Sequence, residues 1–280
     1  MKRTVTARRA DARTFVRGHQ HTAFPATPVR VGRFGARRRS TILRRAGAVA
    51  AALAAAPAWS APFSVTSAHV GVHTNLETEA QWAHAPGSNS WQAPKLKLEA
   101  PIIPRLLEIK LSDTYQVLQH SDMPTAHGWG DFEAEMKWAP VSERNGSAVD
   151  LAVEPKLHLP TGDATQKLGA GAPRVGLPLM VARRFGRAQL TGEVMYVHGF
   201  STLPNAMEGG VLGTWQLRPR LLVGAEIYTV HTLQAGATTD VDANVGFKWH
   251  ATQRWEFDAL AGHRLNRTRE RIKLVASYAF

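Results

Sequence analysis

The C-terminal segment, residues 270–280, constrains the fold of this chain more than any other stretch. Its residues alternate between an apolar face and a face of mostly small or charged side chains. The apolar face consists of Ile272, Leu274, Ala276, Tyr278 and Phe280, and the opposite face includes Arg271 and Lys273. A period of two over this length predicts a β-strand with one apolar and one polar surface.

Similar alternation recurs along the chain upstream of this strand. Between these segments lie turn residues such as Gly, Pro, Asn and Asp, which predict reversals of the chain. The predicted strands cover residues 73–83, 93–101, 104–113, 129–138, 148–159, 174–184, 187–198, 208–218, 220–231, 240–249, 252–263 and 270–280. This pattern predicts an all-β protein built from an antiparallel sheet of about 12 strands.

The connections between the predicted strands favour a membrane barrel. Tight connections, such as the one at Pro219, alternate with longer polar ones such as 84–92, 114–128 and 160–173. Short turns on one side and longer loops on the other are typical of transmembrane outer-membrane β-barrels, as are aromatic residues near strand ends. An even number of strands also lets the sheet close without a free edge. The alternative is a soluble sandwich, because a period of two does not say which face is inside.

The net charge of the chain comes from its N-terminal part. The sequence contains 34 basic and 22 acidic residues, but residues 1–60 hold thirteen of the basic ones and a single acid, Asp11. Residues 61–280 therefore carry 21 residues of each sign, which leaves no electrostatic footprint for nucleic-acid binding. The absence of cysteine excludes disulfides, redox centres of the Cys-x-x-Cys type and thiolate metal sites.

A secretory signal is predicted at the end of this basic region. Residues 37–45 are rich in arginine, the apolar run Ala46–Trp59 follows, and the small residues Ala58 and Ser60 occupy positions −3 and −1 before Ala61. The run is shorter than the ~20 residues of a transmembrane helix. We expect cleavage after Ser60, which removes residues 1–60 and leaves 61–280 as a single outer-membrane barrel domain. The closing segment then serves as the barrel-assembly signal through Ile272, Leu274, Ala276, Tyr278 and Phe280.

Short motifs in the second half of the chain are similar to those of a known family. They are Gly128–Lys137, Leu159–Asp163, Leu168–Gly171, Leu177–Leu179, Phe185-Gly186, Trp215–Leu217 and Gly224–Glu226. Over about residues 128–280 the chain resembles the outer-membrane β-barrel family named for the meta-pathway of phenol degradation, whose members are often called transporters. The resemblance implies a barrel that takes up or exports small, often hydrophobic or aromatic, compounds. It implies no catalytic residues.

Motifs for enzymatic chemistry are weak. Gly162–Gly169 lacks the Gly-Lys-Ser/Thr ending of a phosphate loop, and no His-Glu-x-x-His is present. We therefore predict no catalytic, cofactor-binding or metal-binding residues and no cofactor. A lipid-modifying outer-membrane enzyme stays a minor alternative, with candidate histidines His73, His127, His158, His198, His231 and His263.

If the apolar faces meet lipid, charged side chains point into the lumen. The predicted lumen-lining residues are Asp131, Glu133, Glu135, Lys137, Asp150, Glu154, Lys156, Glu193, Glu226, Asp242, Lys248, Glu256, Asp258, Arg271 and Lys273. These charges form either a polar path for solute or an internal network of ion pairs that stiffens the barrel. A barrel of this size leaves a plugged lumen, a narrow pore and a binding cavity open.

The sequence therefore predicts a porin-like passive transporter of small molecules in the outer membrane of a Gram-negative cell. Its expected partners are outer-membrane lipid and lipopolysaccharide, the barrel-assembly machinery and an unidentified small solute, with no nucleic acid. A structural or adhesive barrel without transport is the main alternative. We also expect Arg271 and Lys273 to pair with inward carboxylates on the first and eleventh strands.

Overall fold

The computed structural model describes residues 62–280, so the predicted leader and its cleavage site after Ser60 lie outside the described residues. The strands are β1 (Asn75–Ala85), β2 (Ser88–Ile103), β3 (Leu107–His120), β4 (Met123–Trp129), β5 (Phe132–Val141), β6 (Asp150–Val153), β7 (Lys156–Leu159), β8 (Arg174–Phe185), β9 (Ala188–Gly199), β10 (Ala206–Arg218), β11 (Leu221–Thr232), β12 (Asp240–His250), β13 (Trp255–Arg264) and β14 (Glu270–Ala279). Two single-turn 3-10 helices occupy Glu143–Asn145 and Ala164–Gln166. Within 62–280 no helix has the length and apolarity to cross a membrane.

The sheet closes on itself. Each strand pairs antiparallel with its neighbours, and β14 pairs with β1 from Asn75↔Ala279 to His84↔Glu270. The segments β4 and β5 are two halves of one barrel strand, because both pair with β3. Likewise, β6 and β7 both lie between β5 and β8. Counted this way, the protein is a closed antiparallel barrel of twelve strands, as the alternation predicts. We call the end where β1 begins and β14 ends the base, and the opposite end the rim.

Two of the predicted long connections are wrong. Residues 84–92 and 114–128 are mostly strand, and only residues 86–87 and 121–122 turn the chain at the rim. The hairpins β1–β2 and β3–β4 are therefore longer than predicted. Polar residues follow one another in stretches such as Ser88-Asn89-Ser90, so the apolar period of two is lost there while the strand pairing continues.

The outer surface of the barrel is apolar and carries aromatic residues near both ends. Large side chains such as Val245 (59 %) and Leu274 (56 %) are exposed in the middle of their strands. Near the base, Tyr278 contacts Trp255 with ring centroids 5.0 Å apart and Phe280 at 5.2 Å. Towards the rim, Trp82 approaches Trp91 and Tyr115 approaches Trp129. An apolar band between two aromatic girdles is the surface of a membrane-spanning barrel.

Residues 62–72 run through the inside of this barrel, and we call them the strap. Phe63 and Val65 are buried in a cluster formed with Leu212, Tyr228 and Leu260 of β10, β11 and β13. Ala68 and Val70 form a second cluster with Ala139, Ala152, Met180 and Ala182 of β5, β6 and β8. The strap reaches the base at Gly71, whose carbonyl accepts a hydrogen bond from the N–H of Arg105. The apolar core of the described protein is thus the strap and the wall that surrounds it.

Candidate functional site: the barrel lumen

The predicted lumen residues that belong to strands lie on the inward face, and Asp131, which lies in a break between two strands, is described separately below. Side chains alternate along each strand between exposed outward positions and sheltered inward ones. The buried members of the predicted set are Glu135, Lys137, Asp150, Glu154, Glu193, Glu226, Glu256 and Asp258. The half-buried members are Glu133, Lys156, Asp242, Lys248, Arg271 and Lys273. A role of these residues in lining a solute path stays a prediction.

Further inward charges on the first three strands were missed. Glu77, Glu79, Glu99, Glu108 and Lys110 are all buried in the lumen. They alternate with outward apolar residues such as Leu98 and Ile109, so the same period of two could have identified them. These strands contribute much of the charge in the lumen.

A continuous network of ion pairs lines one wall of the lumen. Lys110 Nζ lies 2.7 Å from Glu154 Oε1, 3.4 Å from Glu108 Oε1 and 3.6 Å from Glu99 Oε1. Lys137 Nζ approaches the other oxygen of Glu154 at 3.3 Å. Because Glu154 is completely buried, its charge depends on these two ammonium groups. The network therefore ties β2, β3, β5 and the β6–β7 strand together.

The network extends at its margins and is joined by smaller groups. Lys97 pairs with Glu77 at 3.0 Å, and Lys156 pairs with Glu135 at 3.4 Å. On the side of β12 and β13, Glu256 accepts both Lys248 at 3.1 Å and His250 Nδ1 at 2.7 Å. Glu133 is shared by Lys95 and His158, while Arg264 pairs with Asp240 and Asp242. Lysines and arginines thus neutralise a large share of the lumen acids.

The strap satisfies other acids through its backbone. Glu226 accepts the N–H groups of Ser64 at 2.8 Å and Val65 at 2.9 Å, and Glu193 accepts the N–H of Thr66 at 2.6 Å. The N–H of Gly71 donates to Glu108 at 3.2 Å. Together with Asp150, which contacts the strap side chain His69, carboxylates on four different strands bind the strap. The strap is therefore held by charge-assisted hydrogen bonds.

The strap also offers two side-chain contacts to the wall. His69 Nε2 lies 3.0 Å from Asp150 Oδ2 near the base. Ser64 Oγ accepts a hydrogen bond from Arg271 Nη2 at 3.1 Å. We expected Arg271 to pair with an acid of the first or eleventh predicted strand, which are β1 and β13 in the structure. It contacts the strap instead. Lys273, in contrast, pairs with Glu79 of β1 at 3.2 Å.

Asp131 lies in the two-residue break between β4 and β5, and its carboxylate does not take part in the network. Its Oδ1 accepts the N–H of Gly162 at 3.1 Å, and its Oδ2 accepts the N–H of Ala170 at 2.8 Å. The loop 160–173 is thereby fixed to the barrel wall. A Cβ on Gly169 would lie 2.3 Å from Asp131 Oδ1, so only glycine fits at that position. Three of the motifs behind the family resemblance, at 128–137, 159–163 and 168–171, thus meet in this one loop anchor.

Three of the six histidines considered for hydrolysis have partners other than serine. His127 lies 3.1 Å from the Tyr115 hydroxyl, His231 lies 2.9 Å from Thr239 Oγ1, and His158 contacts Glu133. Within residues 62–280, none of the six candidate histidines is hydrogen-bonded to a serine. No group of three His, Asp or Glu side chains in this described part could hold a metal ion.

Comparison with known proteins gives structural matches only. No family model matches the chain, and no curated protein matches it. The COG4313 outer membrane channel from Pseudomonas putida F1 aligns with a TM-score of 0.58 and 16 % identity over 74 % of this chain and 95 % of the channel. The NanC porin aligns at 0.54 and 7 % identity over 73 % of this chain and 100 % of the porin. The KdgM porin in complex with disordered oligogalacturonate aligns at 0.50 and 10 % identity, over 74 % and 99 %.

These likenesses establish the fold. The protein has the closed antiparallel barrel of outer-membrane channels and porins, with an apolar surface outside and a charged lumen inside.

Proposed function

We propose that this protein is an outer-membrane channel through which small molecules cross passively. The observation that carries the proposal is the charged lumen enclosed by an apolar wall, because an interior of this kind is built for polar or ionic contacts. We further propose that the base of the barrel faces the periplasm and that the rim faces the outside of the cell. The structural likeness to porins and to an outer membrane channel supports the same class.

Passage through the lumen requires displacement of the strap. Val65 of the strap and Glu154 of the wall are both completely shielded from water, so the strap and the lumen side chains pack closely around these two residues. The strap forms no strand with the barrel wall and is held by the carboxylate contacts described above. It can therefore move without breaking the sheet.

The finer parts of the proposal rest on the sequence. The family resemblance favours small hydrophobic or aromatic solutes. Residues 1–60 are removed on secretion in this proposal, outer-membrane lipid and lipopolysaccharide surround the apolar surface, and the assembly machinery recognises β14 and Phe280.

A structural barrel without transport is the second candidate. The observation that favours it is the ion-pair network around Glu154, which ties neighbouring strands together along one wall of the lumen.

Conductance in planar bilayers and solute entry into liposomes separate the two candidates. Wild-type protein and a Phe63→Ala/Val65→Ala variant with a weakened strap are compared after both show the heat-modifiable gel migration of a folded barrel. A channel conducts in at least the variant. If both folded proteins are silent in both assays, the structural barrel is correct and the channel is not.

A further inference from the structure

The strap presents an aromatic ring directly next to a series of N–H donors. The ring of Phe63 is buried against the wall, and the N–H groups of the next three residues, Ser64, Val65 and Thr66, all donate to carboxylates. Within a few ångströms, the strap thus combines an apolar ring with donors that bind anionic oxygen. These are the features of an arylalkylammonium ion.

The wall contains a matching cradle in two adjacent rows. In the first row, Gly224 of β11 pairs with Gly246 of β12, and Cβ atoms at these positions would lie 2.8 Å and 3.2 Å from the Phe63 ring. In the second row, two residues further along each strand, Glu226 pairs with Asn244. Positions two residues apart are separated by about 7 Å along a strand. The absence of side chains in the first row leaves space for the ring, and the second row binds the donors.

The strands that carry the acids around this cradle contain few basic residues. Glu193, Glu208 and Glu226 lie on β9, β10 and β11, which contain no lysine and only one arginine, Arg218 at the base end of β10. Glu208 accepts the hydroxyl of Tyr228 at 3.1 Å. When the strap leaves, Glu226 loses two backbone donors and Glu193 loses one, and a buried carboxylate that loses its hydrogen-bond donors is costly. A cation that brings N–H donors restores the balance.

One further group in the cradle lacks a partner. Asn244 is 98 % buried, since only 2 % of its surface is exposed, and its amide donates to Glu226 Oε1 at 2.7 Å. Among residues 62–280, its carbonyl oxygen has no hydrogen-bond donor. Buried acceptors are normally satisfied. An ammonium group has three donors and can therefore serve both Glu226 and this carbonyl.

On the basis of the proposed channel function, we propose that the face of β9–β12 under Phe63 is a solute site for arylalkylammonium cations, which replace the strap there. Glu226 and Glu193 bind the ammonium group, Asn244 orients it, and the Gly224–Gly246 row together with Leu260 receives the ring. The strap occupies the same site when no solute is present.

Relative permeability in planar bilayers tests this proposal, with phenethylammonium as the probe. Its permeability is compared with that of ethylammonium, which lacks the ring, and 3-phenylpropionate, which carries the opposite charge. Wild type, Glu226→Gln and Gly224→Ala are measured in the native strap and in the Phe63→Ala/Val65→Ala background. Glu270→Gln is the matched control, because this acid lies exposed at the rim end of β14.

Wild-type protein should favour phenethylammonium over both comparison ions by at least about threefold, a modest effect for one buried contact. Glu226→Gln should reduce the preference over phenylpropionate. Gly224→Ala should remove the preference over ethylammonium, since its Cβ fills the ring space, while Glu270→Gln should change neither ratio.

A channel that conducts potassium without these preferences overturns the solute site but leaves the channel function intact. Silence in both strap backgrounds overturns both. If Gly224→Ala does not fold, Leu260→Ala provides the second change at the ring position.

Discussion

Glu226 receives the N–H of Val65 at 2.9 Å across 161 residues of sequence, and this bond joins the strap to the middle of the barrel wall. The neighbouring N–H of Ser64 donates to the other oxygen of the same carboxylate. The partner of this lumen acid is thus the backbone of the strap. For a channel, the relationship means that closure and solute contact use the same carboxylate.

The ion-pair network gives the first prediction. Glu154→Ala leaves Lys110 and Lys137 as buried ammonium groups without their closest partner. We expect a loss of about 3–5 kcal/mol in the free energy of unfolding, measured by urea titration in detergent or lipid. The control is Glu270→Ala at an exposed position, for which we expect a change within about 0.5 kcal/mol. Equal effects of the two changes would show that the network contributes little to stability.

The loop anchor gives the second prediction. Gly169→Ala places a Cβ against the Asp131 carboxylate and the backbone of Gly162, so the loop 160–173 should detach from the wall. We expect faster trypsin cleavage after Lys167 in this loop, followed by mass spectrometry. Gly213→Ala is the control, because no atom lies within 4 Å of a Cβ there. If trypsin cleaves the Gly169→Ala variant at the wild-type rate, Asp131 does not anchor this loop.

In the same loop, the side chain of Asp163 caps the N-terminus of the 3-10 helix Ala164–Gln166, and this cap is sensitive to pH. The pKa of Asp163 lies below its usual 3.8 because Thr165 donates hydrogen bonds to the carboxylate from its hydroxyl and its N–H, and Gln166 donates as well. Since the folded pKa is lowered, the cap contributes stability above pH 3.8, and the contribution disappears as the pH falls through the folded value.

Carboxyl NMR should therefore show Asp163 titrating below 3.8, and Thr165→Val should move the midpoint up towards that value. Thr125→Val, in the exposed part of β4, should leave it in place. A wild-type midpoint at or above 3.8 contradicts the cap.

The closing strand gives the fourth prediction. Phe280→Ser removes the aromatic end that packs on Tyr278, and in our proposal it also removes the assembly signal. We expect less folded barrel in the outer membrane of expressing cells, measured as the heat-modifiable fraction on gels. Phe200→Ser changes an exposed aromatic at the rim and serves as the control. Unchanged insertion of Phe280→Ser would remove the assembly role of this residue.

The sequence predicts the barrel well where one face of a strand meets lipid. In β12, Val245, Phe247 and Trp249 point outward and alternate with inward Asn244 and Lys248, so both the strand and its orientation follow from the pattern. The full length of the hairpins at the rim was not predicted, because their polar stretches lack this alternation. Their strands depend on pairing with each other, which one sequence does not reveal.

The position of the strap could not be predicted for a different reason. Residues 62–72 contain a few apolar side chains such as Phe63, Val65 and Val70, but no period that specifies an element. Their place depends on contacts with distant strands, as in the bond from Val65 to Glu226. Asp131 shows a related limit, because its hydrogen bonds to the N–H groups of Gly162 and Ala170 join parts of the chain 31 and 39 residues apart, which no local pattern specifies.

The central claim is that this barrel is a channel whose lumen the strap occupies, and single-channel conductance tests it most directly. Phe63→Ala/Val65→Ala removes the two buried side chains that hold the strap against Leu212, Tyr228 and Leu260. We predict a conductance or open time at least several-fold above that of wild type, because large-to-small changes of this kind cost about 2–5 kcal/mol each in a packed cluster. Identical conductance of the two folded proteins would contradict the account.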